Sequence, residues 1–251
     1  KHVPIIEKSP YEGIFVNVFG TRVVADTAVR YGVERFVMVS TDKAVNPTNV
    51  MGATKRVAEL YTQSLNEYGK TKFIATRFGN VLGSNGSVVP LFRKQIEAGG
   101  PLTVTHEDIT RYFMTIPEAC NLVLEAGAMG LGGEVFVFDM GQPVKIMDMA
   151  KKMVKLSGLE LGKDIKIEVT GLRPGEKLYE ELLASSENTL PTHHAKILKA
   201  KVETYSHEVI KQQLDTLTEI MVDGDVIGMV SKVKSIVPEY ISQNSEFEAL
   251  D

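Results

Sequence analysis

Helix-like and strand-like patterns of apolar residues alternate along the amino-terminal third of this 251-residue chain. The patterns predict helices over residues 14–31 and 51–68, and short buried strands over residues 35–40 and 73–77. Alternation of this kind is typical of β-α units, whose strands line up in a mainly parallel sheet. We therefore expect an α/β protein with a doubly wound parallel sheet.

The elements become shorter and less regular after Gly79, where glycine-rich turns interrupt the chain. The apolar patterns of this region predict two helices and two strands, over residues 117–128, 146–157, 134–138 and 165–169. Short helices and strands separated by glycine-rich turns indicate a smaller α/β region.

The last part of the chain is predicted to be helical over residues 205–240, with a break at Asp223-Gly224-Asp225. The polar residues 243–251 are expected to fray. We therefore divide the chain into a sheet domain over 1–82, a smaller region over 83–204 with a possible strand return to the main sheet, and a helical tail over 205–251.

Charge and cysteine content limit the possible functions. The formal net charge is -4, and no run of Lys and Arg alternates with aromatic residues, so no nucleic-acid partner is expected. The single cysteine, Cys120, excludes an internal disulfide, and its apolar neighbours predict a position in a helix core. No apolar stretch approaches the roughly 20 residues of a membrane-spanning helix, which predicts a soluble chain.

A polar cluster, Ser40-Thr41-Asp42-Lys43, directly follows the first predicted strand. In open α/β sheets the ligand crevice lies outside the carboxyl ends of the strands, so this position favours a reacting centre. Ser, Thr and Asp also favour turns and helix caps. From spacing alone, a turn cluster without chemistry is an equally good interpretation.

Met51 and Lys55 lie four residues apart at a predicted helix start and therefore share one face. This is the geometry of a Tyr-x-x-x-Lys catalytic pair with Met in the first position. Together with the polar cluster and Asn46-Pro47, these residues closely resemble the active-site segment of the CapD-like polysaccharide-biosynthesis proteins. Those proteins are nucleoside-diphosphate-sugar dehydratases and epimerases of the extended short-chain dehydrogenase type.

Three later segments carry the same resemblance in the same order, so that it covers residues 1–240. They are Arg77-Phe78-Gly79-Asn80-Val81-Leu82-Gly83-Ser84 with Gly86-Ser87-Val88-Val89-Pro90, then Thr110-Arg111-Tyr112-Phe113-Met114, and Arg173-Pro174-Gly175-Glu176-Lys177-Leu178. The resemblance implies a Rossmann-like sheet, with residues 1–82 as the carboxy-terminal half of an NAD(P)-binding domain and residues 83–204 as a nucleotide-sugar-binding region.

The resemblance also implies that an amino-terminal part is missing and that the sheet is incomplete. The family opens with a strand and a glycine-rich turn that binds the dinucleotide pyrophosphate, and no G-x-G-x-x-G occurs here. By the same resemblance, Met at position 51 is typical of the large members of the family. Those members carry amino-terminal membrane spans, which would place the parent protein at the cytoplasmic face of the bacterial inner membrane. The 251-residue chain itself is expected to be cytoplasmic, inactive alone, and prone to associate as a homo-oligomer.

The resemblance implies a catalytic role for several residues of this segment. Asp42 would protonate the leaving hydroxyl at carbon 6 of the sugar, and Lys43 would remove the proton at carbon 5. For that, Lys43 must be neutral, which burial or the neighbouring cation Lys55 could favour. Lys55 would also hold the nicotinamide ribose. The Met51 thioether cannot accept the proton of the sugar hydroxyl, as a Tyr at this position would. The nearest replacement by sequence is Thr41, acting with a water and Lys55.

The remaining predicted site residues bind NAD(P)+ or a UDP-sugar. The predicted cofactor residues are Ser40, Lys55, Asn17, Phe78 and Val81. The predicted substrate residues are Lys1, Asn80, Val89, Arg111, Arg173 and Glu176, among which the arginines are suited to a diphosphate. Asn17 is expected to pin the first loop, and Glu176 either binds a ribose hydroxyl or orients Arg173. No metal site is predicted, because His193-His194 lacks further ligands at metal spacing.

The leading hypothesis is a nucleotide-sugar 4,6-dehydratase that converts UDP-N-acetylglucosamine to a UDP-4-keto-6-deoxy sugar for surface glycans. A 4- or 5-epimerase of the same family shares the fold, the cofactor and the diphosphate site. The adjacent Asp42-Lys43 pair favours elimination over epimerisation, because a 4-epimerase expels no hydroxyl. A third hypothesis, a non-catalytic nucleotide-sugar-binding fragment, would carry no bound nicotinamide.

Overall fold

The computed structural model describes residues 1–181 and 189–251. Its α-helices are α1 (Val3–Lys8), α2 (Pro10–Ile14), α3 (Gly20–Arg30), α4 (Val50–Ser64), α5 (Val88–Glu97), α6 (Ile116–Met129), α7 (Ile146–Leu156), α8 (His207–Asp223) and α9 (Val226–Ile236). A π-helical turn, Phe15–Phe19, joins α2 to α3, and 3-10 turns lie at Asp42–Ala44, Leu65–Tyr68 and Glu246–Leu250.

The strands are β1 (Arg35–Val39), β2 (Lys72–Arg77), β3 (Asn80–Val81), β4 (Leu102–Val104), β5 (Thr110–Arg111), β6 (Phe113–Met114), β7 (Val135–Phe138), β8 (Val144–Lys145), β9 (Ile167–Val169), β10 (Thr189–Pro191) and β11 (Ile197–Ala200). The main sheet has the order β1-β2-β7-β11-β10. β1, β2 and β7 run parallel, whereas β11 and β10 run antiparallel to their neighbours. The predicted α/β fold with a parallel sheet is therefore confirmed.

Parallel pairing brings the carboxyl ends of β1 and β2 to the same edge of the sheet. Val39 pairs with Thr76 in the register of the two strands, so Ser40-Thr41-Asp42-Lys43 and Phe78-Gly79-Asn80 leave the sheet side by side. The backbone N–H of Asp42 donates to the carbonyl of Phe78 at 3.1 Å and extends this pairing by one step. The sheet thus positions the two motif segments against one another.

Helix α4 is the central helix of the largest core, and only Lys55 among its fifteen residues is not buried. Its apolar side chains pack against Ile14 and Val18 on one side and against α8 and α9 on the other. Contact on all sides removes solvent from α4, and the helix is therefore held as a rigid support for the residues at its amino-terminal end.

Three expectations about burial are wrong. The first predicted strand was expected to be buried, but β1 buries only Met38, and Val39 is 48% exposed. Helix α6 buries a face formed by Ala119, Leu122 and Ala126, and Cys120 lies on the exposed side of that helix. The predicted fraying of residues 243–251 is also contradicted, because Phe247 lies in the main core at 1% exposure. The side chain of Ser245 begins a capped 3-10 turn over Glu246–Leu250, which satisfies the local backbone donors.

Over residues 1–181 and 189–251, none of the helices combines the length and the apolar character needed to cross a bilayer.

Candidate active site

The turn that follows β1 brings the polar cluster into a compact arrangement. The Thr41 hydroxyl accepts the N–H of Lys43 at 3.3 Å and donates to Asp42 Oδ1 at 2.8 Å. The turn-cap interpretation of this cluster is thus partly correct, since Thr41 does cap the 3-10 turn. The same turn also directs the side chains of Asp42 and Lys43 towards each other, with 3.0 Å between Lys43 Nζ and Asp42 Oδ1.

Asp42 is fully buried beneath the loop that follows β2. A Cβ atom at Gly79 would lie 3.1 Å from Asp42 Oδ2 and 3.0 Å from Tyr112 Cβ, so glycine at position 79 lets this loop approach the carboxylate closely. Among the described residues, Asp42 Oδ2 has no hydrogen-bond partner. A buried carboxylate oxygen without a partner is costly and is a feature of functional sites.

Lys43 contacts two carboxylates, because Glu180 Oε1 is 3.4 Å from the same Nζ that bonds to Asp42. Burial opposes the charged form of Lys43, but Asp42 and Glu180 outweigh it, so the pKa of Lys43 is raised above its ordinary value. Arg111 is the nearby cation that acts in the opposite direction. The expectation that burial or Lys55 lowers the pKa of Lys43 is therefore not met in this arrangement.

The amino-terminal end of α4 packs directly on the backbone of Lys43. Asn49 caps the helix by accepting the N–H of Gly52 at 2.8 Å. A Cβ atom at Gly52 would lie 2.1 Å from the carbonyl oxygen of Lys43, so only glycine permits this contact. Met51 is buried at 3% exposure, and burial lowers the pKa of Lys55, which lies on the same face one turn later.

A cavity of about 320 Å³ opens beside Lys43. Its wall includes five of the six predicted substrate residues, namely Lys1, Asn80, Arg111, Arg173 and Glu176. From α5 the wall takes Val88 and Leu91, and the predicted Val89 is not part of it. Residues from distant parts of the sequence therefore meet around one cavity that has Lys43 in its lining.

Glu176 bridges the two arginines of this cavity. Its Oε1 accepts from Arg111 at 3.3 Å and from Arg173 at 3.1 Å. Arg111 is buried at 8% exposure, whereas the Arg173 side chain is 54% exposed. Glu176 thus orients Arg173, which is one of the two roles predicted for it. By accepting from both arginines, it also holds their two guanidinium groups close to each other.

The predicted cofactor residues lie at the sheet edge and in the core, outside the wall of this cavity. Ser40 and Phe78 are buried, and the Phe78 ring stacks on Phe138 at 5.4 Å between centroids. Asn17 Nδ2 donates to the Thr54 hydroxyl at 3.0 Å, so it ties the π-helical turn Phe15–Phe19 to α4. Val81 lies in β3 and packs against the core of α6.

Glu180 is the main site residue that the sequence analysis missed. It is buried at 8% exposure, and in addition to Lys43 it faces Arg111 Nε at 3.6 Å. Among the described residues its Oε2 has no hydrogen-bond partner. Its place three residues after Lys177, beyond the recognised motif, gave no signal for a role in this site.

A buried ion cluster lies beneath the site and joins α4 to the end of β2. Glu59 Oε2 accepts from Arg77 at 2.7 Å and from Arg56 at 3.1 Å, and all three residues are at most 7% exposed. Burial alone would raise the pKa of Glu59, but Arg77 and then Arg56 outweigh it and lower the pKa to about 2. The carboxylate is therefore charged throughout the ordinary pH range.

The order of strands, the polar turn after β1 and the adjoining cavity define an enzyme-like site on a Rossmann-type α/β fold. The chain belongs to the polysaccharide biosynthesis protein family, whose model matches residues 1–202. The resemblance inferred from the sequence motifs is thereby confirmed.

Several curated proteins are similar to this chain. The capsular polysaccharide biosynthesis protein CapD of Staphylococcus aureus is 57% identical over 93% of this chain and 38% of its own length. An inverting UDP-N-acetylglucosamine 4,6-dehydratase of Campylobacter jejuni is 37% identical over 76% of this chain and 55% of that protein. A UDP-glucose 4-epimerase of Rickettsia canadensis is 39% identical over 74% and 54%. The chain thus spans between about a third and about half of the length of these relatives.

Solved structures agree with the fold. The X-ray structure of Pen from Bacillus thuringiensis is 34% identical with a TM-score of 0.72, over 86% of this chain and 72% of that one. The NAD-bound dTDP-glucose 4,6-dehydratase of Streptomyces venezuelae, at 21% identity and a TM-score of 0.61, covers 69% of this chain and 60% of its own. The second likeness supports the fold alone.

Proposed function

We propose that the full-length protein is an NAD(P)-dependent nucleotide-sugar 4,6-dehydratase that acts on UDP-N-acetylglucosamine. The observation that carries this proposal is the Asp42–Lys43 pair, 3.0 Å apart, with Lys43 in the wall of a cavity that also presents Arg111 and Arg173. Elimination of water needs an acid and a base at neighbouring carbons, and the pair supplies one of each. Similarity to the Campylobacter dehydratase supports this choice of reaction.

A nicotinamide cofactor fits the edge of the sheet beside α4. Lys55 presents a cation there whose pKa is lowered by burial, and such a desolvated amine gains from donating to a ribose hydroxyl. Ser40 and Phe78 follow β1 and β2 at this edge, Asn17 bonds to α4, and Val81 lies in β3; these residues would hold the remainder. Bound NAD(P)+ would supply hydride acceptance from carbon 4 and its return to carbon 6.

The Asp42–Lys43 pair shares one proton, which is enough to provide both the acid and the base that dehydration requires. With Lys43 as an ammonium and Asp42 as a carboxylate, transfer of one proton across their 3.0 Å hydrogen bond gives a neutral amine and a carboxylic acid. The amine is then the base for the carbon 5 proton, and the acid protonates the hydroxyl that leaves carbon 6. Asp42 is fully buried and is not part of the cavity wall, so its proton would reach the leaving hydroxyl through Lys43. Once Lys43 has taken the carbon 5 proton, its ammonium would donate one proton to the hydroxyl and recover one from Asp42 across their hydrogen bond, which leaves a carboxylate, an ammonium and water.

A 4-epimerase is the second candidate, because the Rickettsia epimerase is as similar to this chain as the dehydratase is. An epimerase needs no acid at carbon 6, so Asp42 would then have no role as an acid. A non-catalytic nucleotide-sugar-binding protein is the third candidate. It would keep the arginines of the cavity without turnover.

One experiment separates these candidates. The full-length protein, with UDP-N-acetylglucosamine and NAD+ or NADP+, should yield a 4-keto-6-deoxy product that is visible by NMR. Formation of UDP-N-acetylgalactosamine would identify an epimerase. Tight binding of the substrate without any product would favour the non-catalytic alternative.

Arg173→Ala is expected to weaken binding of the UDP-sugar to the full-length protein by about 1.5 to 3 kcal/mol, the scale of a charge-assisted hydrogen bond. Arg173→Lys should restore little, because a point charge cannot reproduce the planar fork that Glu176 orients. Calorimetry measures both, and Arg30→Ala, at an exposed position at the end of α3, is the matched control. An unchanged affinity for Arg173→Ala would remove Arg173 from the diphosphate site.

A further inference from the structure

A short segment near the end of the chain, residues 241–245, runs between two loops of the active site; we call it the strap. The N–H of Ile241 donates to Pro47 O at 3.1 Å, and the N–H of Gln243 donates to Thr48 O at 3.2 Å. On its other side, Gln243 O accepts the N–H of Gly175 at 2.7 Å. The strap is thus bonded by its backbone to both loops at once.

Both loops carry residues of the cavity. Pro47 and Thr48 connect the Lys43 turn to the start of α4, and Gly175 belongs to the loop of Arg173. The loops also touch directly, because Gly175 O accepts from the Thr48 hydroxyl at 3.0 Å and from Asn49 Nδ2 at 2.9 Å. Gly175 has a φ of +75°, and a Cβ atom there would lie 2.4 Å from Asn49 Cβ, so the fit is close.

A buried carboxylate links the strap to helix α4. Glu7, at 4% exposure, accepts the Ser245 hydroxyl on Oε1 and the N–H of Val50 on Oε2, both at 2.9 Å. Val50 is the first residue of α4, whose N–H has no partner within the helix. Glu7 therefore satisfies a donor of the helix that bears Met51 and Lys55 and holds the strap with its other oxygen.

The residues on either side anchor the strap. Phe247 lies in the main core, and the Ser242 N–H donates to Asp251 Oδ1 at 3.0 Å. Lys234, in α9, pairs with the same Asp251 side chain. A segment fixed in this way can restrain loops that would otherwise move independently.

We propose that the strap and Glu7 position the Lys43 turn and the Arg173 loop relative to one another, so that the acid–base pair and the diphosphate-binding arginine face a single substrate. The strap lies beyond residues 1–202, the part that the family model matches. Glu7 and Ser245 are positioning residues, because they act through the backbone of α4 and of the two loops. The consequence for substrate binding rests on the proposed function, whereas the restraint of the loops does not.

Hydrogen exchange of the 251-residue chain tests the restraint directly. Ser245→Ala removes the hydrogen bond to Glu7 and also the cap on the N–H of Phe247. It should raise the exchange rates of the Gly175 and Val50 amides by at least about 3- to 10-fold, the worth of one net hydrogen bond. The amide of Ala75, inside the main sheet, should not change. Ser235→Ala is the matched control, since its hydroxyl bonds only to Lys232 O within α9 among the described residues.

Glu7→Ala should loosen the same two amides further, and Glu7→Gln should restore much of the protection, because an amide oxygen can still accept one of the two bonds. In the full-length protein, Ser245→Ala should weaken UDP binding by about 3- to 10-fold while Ser235→Ala does not. Unchanged Gly175 and Val50 exchange, or an equal rise at Ala75, would overturn the proposal. If the unmodified protein fails to bind UDP, the proposed function is wrong and the exchange data still decide the strap.

Discussion

Replacing Lys43 by glutamine in the full-length protein is expected to lower turnover of UDP-N-acetylglucosamine by about 100- to 10,000-fold, the usual worth of a general base. Solvent deuterium exchange at carbon 5 should be lost with it, because no other group would remove that proton. Substrate affinity should change little, since Arg111, Arg173 and Glu176 keep their mutual contacts. Glutamine is chosen because its side chain keeps a hydrogen-bond donor near Asp42 and Glu180, whereas alanine would remove that donor.

Asp42→Asn should behave differently, because it removes the acid and spares the base. With Asp42 neutral, Lys43 keeps only Glu180 as a counter-charge and becomes easier to deprotonate. The oxidised sugar and reduced nicotinamide should then accumulate, to about one equivalent per site, and appear as the absorbance band of the reduced cofactor. The two variants must therefore differ in both carbon 5 exchange and absorbance.

Lys163→Gln is the control for these two variants, because Lys163 forms an exposed pair with Glu160 away from the cavity. Exchange at carbon 5 that survives in Lys43→Gln would disprove the assignment of the base. Accumulation of reduced cofactor in Glu180→Gln instead of Asp42→Asn would assign the acid to Glu180, whose Oε1 lies 3.4 Å from Lys43 Nζ.

The sequence predicted the strands β1 and β2 well, because these depend on local pattern. The predicted strands over 35–40 and 73–77 lie within one residue of β1 and β2, since apolar runs between turn residues specify short strands. The predicted burial holds for β2 and not for β1. Parallel pairing then places whatever follows each strand at one edge. The pairing of β1 with β2 is why the turn that holds Asp42 and the loop that holds Asn80 leave the sheet side by side, whereas the sequence assigned both residues to one site only through the family resemblance.

The sequence could not give contacts between distant segments that lack a motif. Glu180 reaches Lys43 only because the chain after Arg173 folds back across the cavity, and Glu7 meets Ser245 over 238 positions. Against the effect of burial, the pKa of Lys43 is raised by Asp42, its neighbour in sequence, and by the distant Glu180, for which the sequence carried no signal. The polar composition of residues 243–251 suggested fraying, but Phe247 and the Ser245 cap anchor that end.

Glu59→Ala is expected to destabilise the 251-residue chain by about 3 to 5 kcal/mol, because it removes the buried carboxylate that Arg77 and Arg56 share and breaks a buried ion cluster. Unfolding in urea at neutral pH measures this loss. Glu219→Ala, at an exposed position in α8, should change stability by less than about 0.5 kcal/mol. A Glu59→Ala variant as stable as the unmodified chain would mean that water or a shifted side chain compensates both arginines.

The contribution of Glu59 to the free energy of unfolding is also expected to depend on pH, in a direction that its pKa shift determines. The pKa of Glu59 is about 2 in the folded chain and 4.5 in its ordinary state, so the unfolded chain binds the proton first as pH falls. The stabilisation by the Glu59 charge is therefore complete above about pH 4.5 and is lost as the pH approaches 2. Glu59→Gln has no such proton to bind, so the gap in unfolding free energy between it and the unmodified chain should stay constant above pH 4.5 and narrow below it. A gap that does not change with pH would show that Glu59 titrates alike in both states, and that Arg77 and Arg56 do not hold its charge.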